Sequence, residues 1–453
     1  MILVLLPALA LARPTDGGMF SFDAADVVVS LDGPGGAVRV WYSVDGPNLT
    51  LLDDTDADGV PDFPALVAAS AEAALVTFAD TGFRPPIADG GRGGSDAIDV
   101  YLVDFAGNAD GNYAAESCTS GAPRQCSGYF VMENDFAGYG YPDLDTAVRV
   151  LTSHELFHAV QAAYDADTPV WFAEGTAVWA EDLHDPENED FLAYCDAYLS
   201  DAGRSLDKPP TGPVPTFAYA TALWWWFLSN RHGDAFLVDL LEATESGDDV
   251  LADMEALEEA YGGNLSDDFT TFASWNLATG RLAGAADSYP FAAFIGPPRA
   301  ASADAAIDDN NRFYPLATTY YRLEHGGGEV WFVAEADAPE LRFALHPMDA
   351  AGDLLPATHT FTATSTPLSL GDVPEGDHWL VGVHPTRAED STKLRVCLGA
   401  DVSACAPAVA DPPERESPGG CGCASVSTPA GAWLGLVALV AARRRQYRYR
   451  RPE

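Results

Sequence analysis

The chain has 453 residues, of which 47% are hydrophobic, and it carries 68 Asp and Glu against 24 Lys and Arg, a formal net charge of −44. This length can supply two ordered domains with appendages. A surface so acidic repels nucleic acid and anionic lipid, so we expect no nucleic-acid partner and interpret most of the acidity as a solvated face.

The first twelve residues have the pattern of a signal peptide. Residues 2–12 are an apolar run that ends in Ala10-Leu11-Ala12, the small-x-small pattern that precedes signal-peptidase cleavage. No Lys or Arg precedes the run, which a start codon placed too far downstream would explain; the alternative is a buried N-terminal strand. We expect export, with residues 13–39 as an N-terminal segment.

The C-terminal region has the pattern of a second targeting signal. A polar Pro/Gly linker at 409–420 precedes Cys421 and Cys423, an apolar stretch at 424–442 and a cluster of six Arg. As a helix that stretch would be about 28 Å long, close to the roughly 30 Å thickness of membrane hydrocarbon. The Arg cluster follows it and is expected on the cytoplasmic side, so the rest of the protein is predicted to face outward. Residues 421–453 resemble the MYXO-CTERM sorting signal, which implies a membrane span, processing by a sorting protease and display at the cell surface. The alternative is a simple tail anchor.

Seven cysteines fit an oxidising compartment. Cys118 and Cys126 bracket a short polar loop and are predicted to form a local disulfide. Cys397 and Cys405 have the same spacing, and Cys195 is predicted to be a buried thiol.

The residue pattern predicts an α+β fold. We predict strands at 36–44, 97–103 and 128–132, and helices at about 63–80, 146–164, 170–183, 217–231, 234–245, 248–261 and 266–279. From residue 310 the pattern changes to short alternating strands, with turn residues at 326–328 and 374–376. This pattern predicts a small β-sandwich over 310–408.

An acidic loop precedes the first predicted helix. Its carboxylates stand at positions 1, 3, 5 and 9 of a calcium-loop pattern, with Gly59 at position 6; they are Asp54, Asp56, Asp58 and Asp62. Position 12 is Ala65, so the bidentate Glu of an EF-hand is absent, and the spacing resembles thrombospondin-type or dockerin-type calcium loops. The alternative to calcium binding is an acidic turn that caps the following helix.

The strongest chemical signal is an HExxH segment, His154-Glu155-Leu156-Phe157-His158, inside a predicted helix. Two His at i and i+4 face the same way, so both imidazoles can reach one ion. Glu155 can then contact a water at that ion without binding the ion itself. The alternative is a structural metal site or a helix pair of histidines without a metal.

A third ligand is required, because a catalytic zinc ion keeps three protein ligands and one open position. Glu174 is the candidate, since it lies on a second predicted helix that can return antiparallel to the first after a loop with Pro169. The small residues Gly175 and Ala177 are predicted to let these two helices approach closely.

HExxH followed by a WxxEGxAxW-type segment resembles the gluzincin clan of zinc metallopeptidases, and more narrowly the secreted metalloproteases of myxobacteria that carry the same C-terminal signal. The resemblance spans roughly residues 50–280. It implies a zincin domain over 40–290, a peptide or protein substrate, Glu155 as general base, and zinc on His154, His158 and Glu174. Tyr219 matches an oxyanion-stabilising Tyr of that clan, although a packing role is the alternative.

The sequence departs from thermolysin at Val178, where a carboxylate would orient a His, and Glu181 or Asp182 could serve instead. One rival function is a non-catalytic surface or adhesion protein on a zincin scaffold, against which the intact Glu155 argues. Another is an aminopeptidase, for which only residues 132–134 resemble a fragment of an amine-binding segment.

Overall fold

The computed structural model describes residues 12–402, apart from residues 19, 213–214, 248, 285, 350 and 389. These residues form an α+β fold with two β-sheets, as predicted. The predicted linker, sorting signal and membrane span lie outside the described residues, as do Cys405 and all but the last residue of the predicted signal peptide.

The first sheet is mixed and has five strands in the order β1-β2-β3-β5-β4. The strands are β1 (Val28–Asp32), β2 (Val38–Ser43), β3 (Ile98–Leu102), β4 (Gly111–Cys118) and β5 (Cys126–Met132). The three central strands β2, β3 and β5 run parallel, and both edge strands are antiparallel to their neighbours. Strand β4 is therefore one edge of this sheet.

Strand β4 was not predicted, because its sequence is polar and lacks clear alternation. It pairs with β5 from Gly111↔Met132 to Cys118↔Cys126. The disulfide Cys118–Cys126 closes the far end of this hairpin, which confirms the first predicted pair. Cys195 is the buried free thiol that was predicted.

Nine α-helices follow or interleave with the strands in the described part of the chain. They are α1 (Asp62–Thr81), α2 (Leu144–Ala162), α3 (Val170–His184), α4 (Leu192–Leu199), α5 (Thr216–Ala220), α6 (Ala222–His232), α7 (Ala235–Ala243), α8 (Val250–Ala260) and α9 (Leu265–Leu277). Helices α1 and α2 cover one face of the first sheet. Helix α4 was not predicted, and the helix predicted at 217–231 is divided at Thr221, whose hydroxyl donates to the Trp171 and Ala218 carbonyls.

Helix α1 is long and apolar enough to cross a membrane by length and composition, and no other helix among the described residues is. Many of its apolar side chains, among them Phe63, Val67 and Phe78, are nevertheless buried in the main core beside the sheet and α2. We interpret α1 as a core helix.

The second sheet contains the remaining strands: β6 (Ala300–Asp304), β7 (Ala306–Phe313), β8 (Ala317–Ala334), β9 (Ala338–Pro347), β10 (His359–Ala363), β11 (Leu368–His384) and β12 (Thr392–Gly399). They hydrogen-bond in the order β10-β9-β11-β8-β12-β7, with β6 also on β8. The described strands of the region predicted as a β-sandwich over 310–408 thus belong to one hydrogen-bonded sheet, which begins at Ala300.

The predicted turns at 326–328 and 374–376 are wrong, because β8 and β11 continue through both. The two segments lie opposite each other in one antiparallel pair, with Glu375 facing Gly326. Gly327, Gly328 and Gly376 have positive φ angles, which glycine adopts without a steric cost. Glycine and proline here lie inside the strands rather than between them.

The second sheet packs directly on the helices. The Tyr320 hydroxyl donates to the Ala273 carbonyl of α9 at 3.0 Å, and the Thr318 amide donates to the Ala202 carbonyl at 2.7 Å. Trp379 belongs to the same apolar core as the helices. The helical region is therefore supported on one side by the first sheet and on another by the second.

The outer face of the first sheet is tied to the N-terminal segment by Arg13, which is only 4% exposed. Its guanidinium donates both Nε and Nη2 to Glu116 of β4 at 2.8 and 2.7 Å, and Nη1 to Asp99 of β3 at 2.5 Å. Asp89 is a third carboxylate partner. One buried cation thus contacts three acidic side chains, of which Glu116 also pairs with Arg92 at 3.0 Å.

We expect Arg13→Ala to lower the free energy of unfolding by about 3–5 kcal/mol, because removing one member of a buried ionic cluster leaves uncompensated buried charge. Urea unfolding monitored by tryptophan fluorescence measures this change.

The matched control is Arg204→Ala, which removes the half-exposed Arg204–Asp201 pair and should cost under about 1 kcal/mol. Equal losses in the two variants would contradict the role assigned to Arg13.

Candidate metal centre

Helix α2 begins where the side chain of Asp143 accepts a hydrogen bond from the Thr146 amide at 2.8 Å, an N-cap that satisfies one of the free amides of the first turn. The HExxH residues lie in the second half of this helix. His154 and His158 are separated by one helical turn, and their Nε2 atoms are 3.2 Å apart.

Helix α3 brings the third predicted ligand to the same point. The helix begins at Val170 after Pro169, and Glu174 lies in its second turn. Its Oε2 is 3.3 Å from His154 Nε2 and 3.6 Å from His158 Nε2. The structure therefore brings together the three residues predicted as metal ligands.

The spacing of these three donor atoms suits a tetrahedral ion. With zinc–ligand bonds of 2.0–2.1 Å, two ligands of a tetrahedron are about 3.3 Å apart. The observed separations of 3.2, 3.3 and 3.6 Å match this edge length without any rearrangement. Three protein ligands leave one corner of the tetrahedron open.

The outer nitrogen of each imidazole has its own acceptor. His154 Nδ1 lies 2.7 Å from Oε1 of the buried Glu181, and His158 Nδ1 lies 2.8 Å from Gln161 Oε1. The Gln161 amide nitrogen donates to the Ala173 carbonyl, which fixes Gln161 Oε1 as the acceptor. Both Nδ1 atoms therefore donate, and both Nε2 lone pairs point towards Glu174.

The charges around the histidines favour a cation at this point. Burial alone would lower the pKa of His154, but Glu174 and Glu181 raise it well above its ordinary value, and Glu174 likewise raises the pKa of His158. The same pairing holds the pKa of Glu174 below its ordinary value despite burial. Burial raises the pKa of Glu181 to about 7, although its bond with His154 acts in the opposite direction.

Glu155, the predicted general base, lies beside strand β4 and is 5% exposed. A Cβ added at Gly111 would be 2.6 Å from Glu155 Oε1, so the glycine gives this carboxylate its space. Burial raises the pKa of Glu155, while the two neighbouring histidines lower it. The carboxylate is thus held next to the cluster without being one of its three converging donors.

Tyr219 also lies at the cluster. Its ring centroid is 5.7 Å from that of His154, and on its other side it stacks on Tyr194 at 5.2 Å. Burial, followed by the charges of Glu174 and Glu155, raises the pKa of its hydroxyl. This position suits both the catalytic and the packing interpretation of Tyr219.

The predicted role of Gly175 needs correction. A Cβ there would lie 2.1 Å from Thr221 Oγ1 and 2.6 Å from Trp225 Nε1. Gly175 therefore permits close packing of α3 on the α5–α6 junction, rather than on the HExxH helix. Gly175 follows Glu174 in the helix, and neighbouring helical residues point in different directions. Because Glu174 faces α2, Gly175 faces the α5–α6 junction.

The acidic loop lies apart from this cluster. Asp54, Asp56 and Asp58 offer carboxylate oxygens within 4.8 Å of one another, whereas Asp62 is not part of that group. Asp62 instead accepts a hydrogen bond from the Thr55 amide at 3.1 Å. Three of the four residues predicted for calcium are thus brought together.

The segment that resembles part of an amine-binding motif has a structural role. The Glu133 side chain is buried and accepts from the Phe105 amide at 2.9 Å and the Tyr139 hydroxyl at 2.7 Å. These bonds hold two loops together. Because its carboxylate is engaged in these bonds, Glu133 gives no support to the aminopeptidase alternative.

Comparisons with known proteins give no family for this chain. No protein-family model and no curated protein matches it. Two solved structures share 11% identity with it at a TM-score of 0.18, too low to carry any argument. One is PliG from Aeromonas hydrophila, a periplasmic inhibitor of g-type lysozyme, which matches 22% of this chain and 96% of its own. The other is the pre-peptidase C-terminal domain of a Bacillus anthracis collagenase, which matches 23% of this chain and 96% of its own.

We expect Glu181→Ala to weaken Zn²⁺ binding 10- to 100-fold, because His154 loses the acceptor that fixes its tautomer and orientation. Competition with a chromogenic chelator measures the dissociation constant.

The control is Asp145→Ala, which removes an exposed carboxylate of α2 that pairs with Arg149. Its zinc affinity should equal that of the native protein, and an unchanged affinity in the Glu181 variant would contradict the orienting role.

Proposed function

We propose that this protein is a zinc-dependent metalloendopeptidase with a zincin-type catalytic domain. One observation carries the proposal: two imidazole Nε2 atoms and a buried carboxylate oxygen converge at 3.2–3.6 Å, and that oxygen of Glu174 has no hydrogen-bond partner. Three lone-pair donors at this spacing need a proton or a cation between them.

The donor set fits zinc better than a harder cation. Two neutral imidazoles and one carboxylate, with an open fourth position, are the ligands of a catalytic zinc site, whereas calcium and magnesium prefer oxygen ligands alone. When bound by His154, His158 and Glu174, zinc would supply Lewis-acid activation of the scissile carbonyl and of water.

The residues around the donor set supply the remaining chemistry. Glu155 accepts a proton from the attacking water and delivers it to the leaving amine, a role that suits a buried carboxylate of raised pKa. Tyr219, whose ring lies 5.7 Å from that of His154, is our candidate to donate its hydroxyl to the oxygen that gains charge during attack. Glu181 and Gln161 keep both histidines in the ligating tautomer.

The edge of the first sheet supports a peptide as the substrate. Strand β4 pairs with β5 on one side only among the described strands, and its first residue, Gly111, adjoins Glu155. An extended peptide can add to such an edge through main-chain hydrogen bonds. It would then pass beside the general base, as an endopeptidase requires.

The second candidate is a non-catalytic surface or adhesion protein on the same scaffold. The arrangement of Glu155 argues against it, because a binding scaffold has no use for a buried carboxylate beside the open coordination position. In either case we propose export and surface display, from the signal-peptide and sorting-signal patterns at 1–12 and 421–453.

We expect Glu155→Gln to bind Zn²⁺ like the native protein but to cleave peptides at least about 10²–10⁴-fold more slowly, because only the proton acceptor is removed. A mixed peptide library read by mass spectrometry, with and without zinc, measures cleavage.

Glu174→Gln is the companion variant, which should lose zinc affinity and cleavage together. Zinc binding by the native protein without any cleavage would favour the scaffold alternative.

For the acidic loop we propose calcium held by Asp54, Asp56 and Asp58. We expect millimolar Ca²⁺ to raise the melting temperature of the native protein and not that of Asp56→Asn, because a ligand that binds only the folded state stabilises it. Differential scanning calorimetry with Ca²⁺ or Mg²⁺ measures the shift. An equal shift in both proteins would contradict calcium binding by these residues. The helix-capping alternative is wrong for this loop, because the N-cap of α1 is Pro61 and no side chain caps the helix.

A further inference from the structure

Three chain segments border the cluster. Residues 104–112 lead into β4 and so reach Glu155 through Gly111. Residues 133–145 lead into α2 and contact the first segment, because the Tyr141 hydroxyl donates to Asp110 at 2.8 Å. Residues 185–196 follow α3, and their Tyr194 stacks on Tyr219.

These three segments are acidic without exception. Together they hold eleven Asp and Glu residues and no Lys or Arg. Arg149 of α2 offsets part of this charge, since it pairs with Asp145 and Asp185. No cation among the described residues is seen to pair with Asp110, which has the Tyr141 hydroxyl as its partner.

The negative potential reaches the interior of the site. Tyr141 has its pKa raised by burial first and then by the charges of Asp110 and Asp190, so both carboxylates act on the same enclosed space. Glu181 is 97% buried by side chain and keeps its Oε2 without a hydrogen-bond partner. Asp110 and Asp190 thus bring negative charge to Tyr141, and Asp110 directly precedes Gly111, which adjoins Glu155.

We infer that the site selects peptides with Lys or Arg side chains close to the scissile bond, and that Asp110 is the residue that recognises them. Asp110 directly precedes the edge strand, so a peptide laid along β4 brings a side chain past its carboxylate. The formal net charge of −44 of the whole chain also attracts cationic peptides and repels acidic ones.

This inference rests on the proposed peptidase, and its test separates the two. The substrates are internally quenched peptides that differ in one residue, Lys, Gln or Glu, placed in turn at each of six positions around the scissile bond. For the native protein we expect kcat/KM about tenfold higher with Lys than with Gln at one position or more, and lowest with Glu. Raising the salt from 50 to 500 mM should shrink these ratios.

Asp110→Asn should reduce the Lys-to-Gln ratio about threefold or more, because it removes the charge and keeps the hydrogen bond with Tyr141. The control is Asp308→Asn on β7, an exposed carboxylate paired with Arg395 in the second sheet, which should leave the ratio unchanged. Equal kcat/KM for Lys and Gln at every position, or an unchanged ratio in Asp110→Asn, would overturn the inference.

Binding supplies a readout that does not need turnover. Fluorescence anisotropy of labelled peptides should show that the Glu155→Gln protein binds the Lys peptide more tightly than the Gln peptide. In the double variant Glu155→Gln, Asp110→Asn this difference in affinity should shrink about threefold or more. Selective binding without cleavage by the native protein would overturn the peptidase and retain the charge preference. Cleavage without preference would overturn the charge preference alone, and neither binding nor cleavage would overturn both.

Discussion

The structure depends on the convergence of three donor atoms at one point. His154 Nε2, His158 Nε2 and Glu174 Oε2 lie 3.2–3.6 Å apart, with their lone pairs directed at a common centre. Such an arrangement is costly unless a proton or cation joins the three. The fold holds it in place by rigid means, since two donors share one helix and the third lies in the second turn of the next.

Residues around the three donor atoms hold the helices and side chains of the cluster in position. Gln161 donates to the carbonyl of Ala173, the residue before Glu174 in α3, and accepts from His158. One side chain thus holds both His158 and helix α3 in position. Gly175 lets α3 pack on α6, and Gly111 leaves room for Glu155 beside β4. Arg13 secures β4 from the opposite face of the sheet through Glu116.

The sequence predicted the ligands and their helices because helical periodicity is a local property. His154 and His158 at i and i+4 must share a face, and the apolar pattern around Glu174 predicts its helix. Strand β4 was missed because an edge strand needs no alternating apolar residues. Glu181 remained one of two choices: its spacing of seven from Glu174 returns it to the same helical face, but only the tertiary contact with His154 decides between it and Asp182. The continuation of β8 and β11 through their glycine-rich segments depends on cross-strand pairing, which no local pattern carries.

The most direct test of the metal centre is an anomalous-diffraction map at the zinc absorption edge, from crystals of the full chain loaded with one equivalent of Zn²⁺. Zinc held by these three residues would give a single strong peak about 2.0–2.2 Å from His154 Nε2, His158 Nε2 and a Glu174 oxygen, with an open fourth position towards Glu155. A peak elsewhere, or no peak between these three residues, would contradict this metal centre.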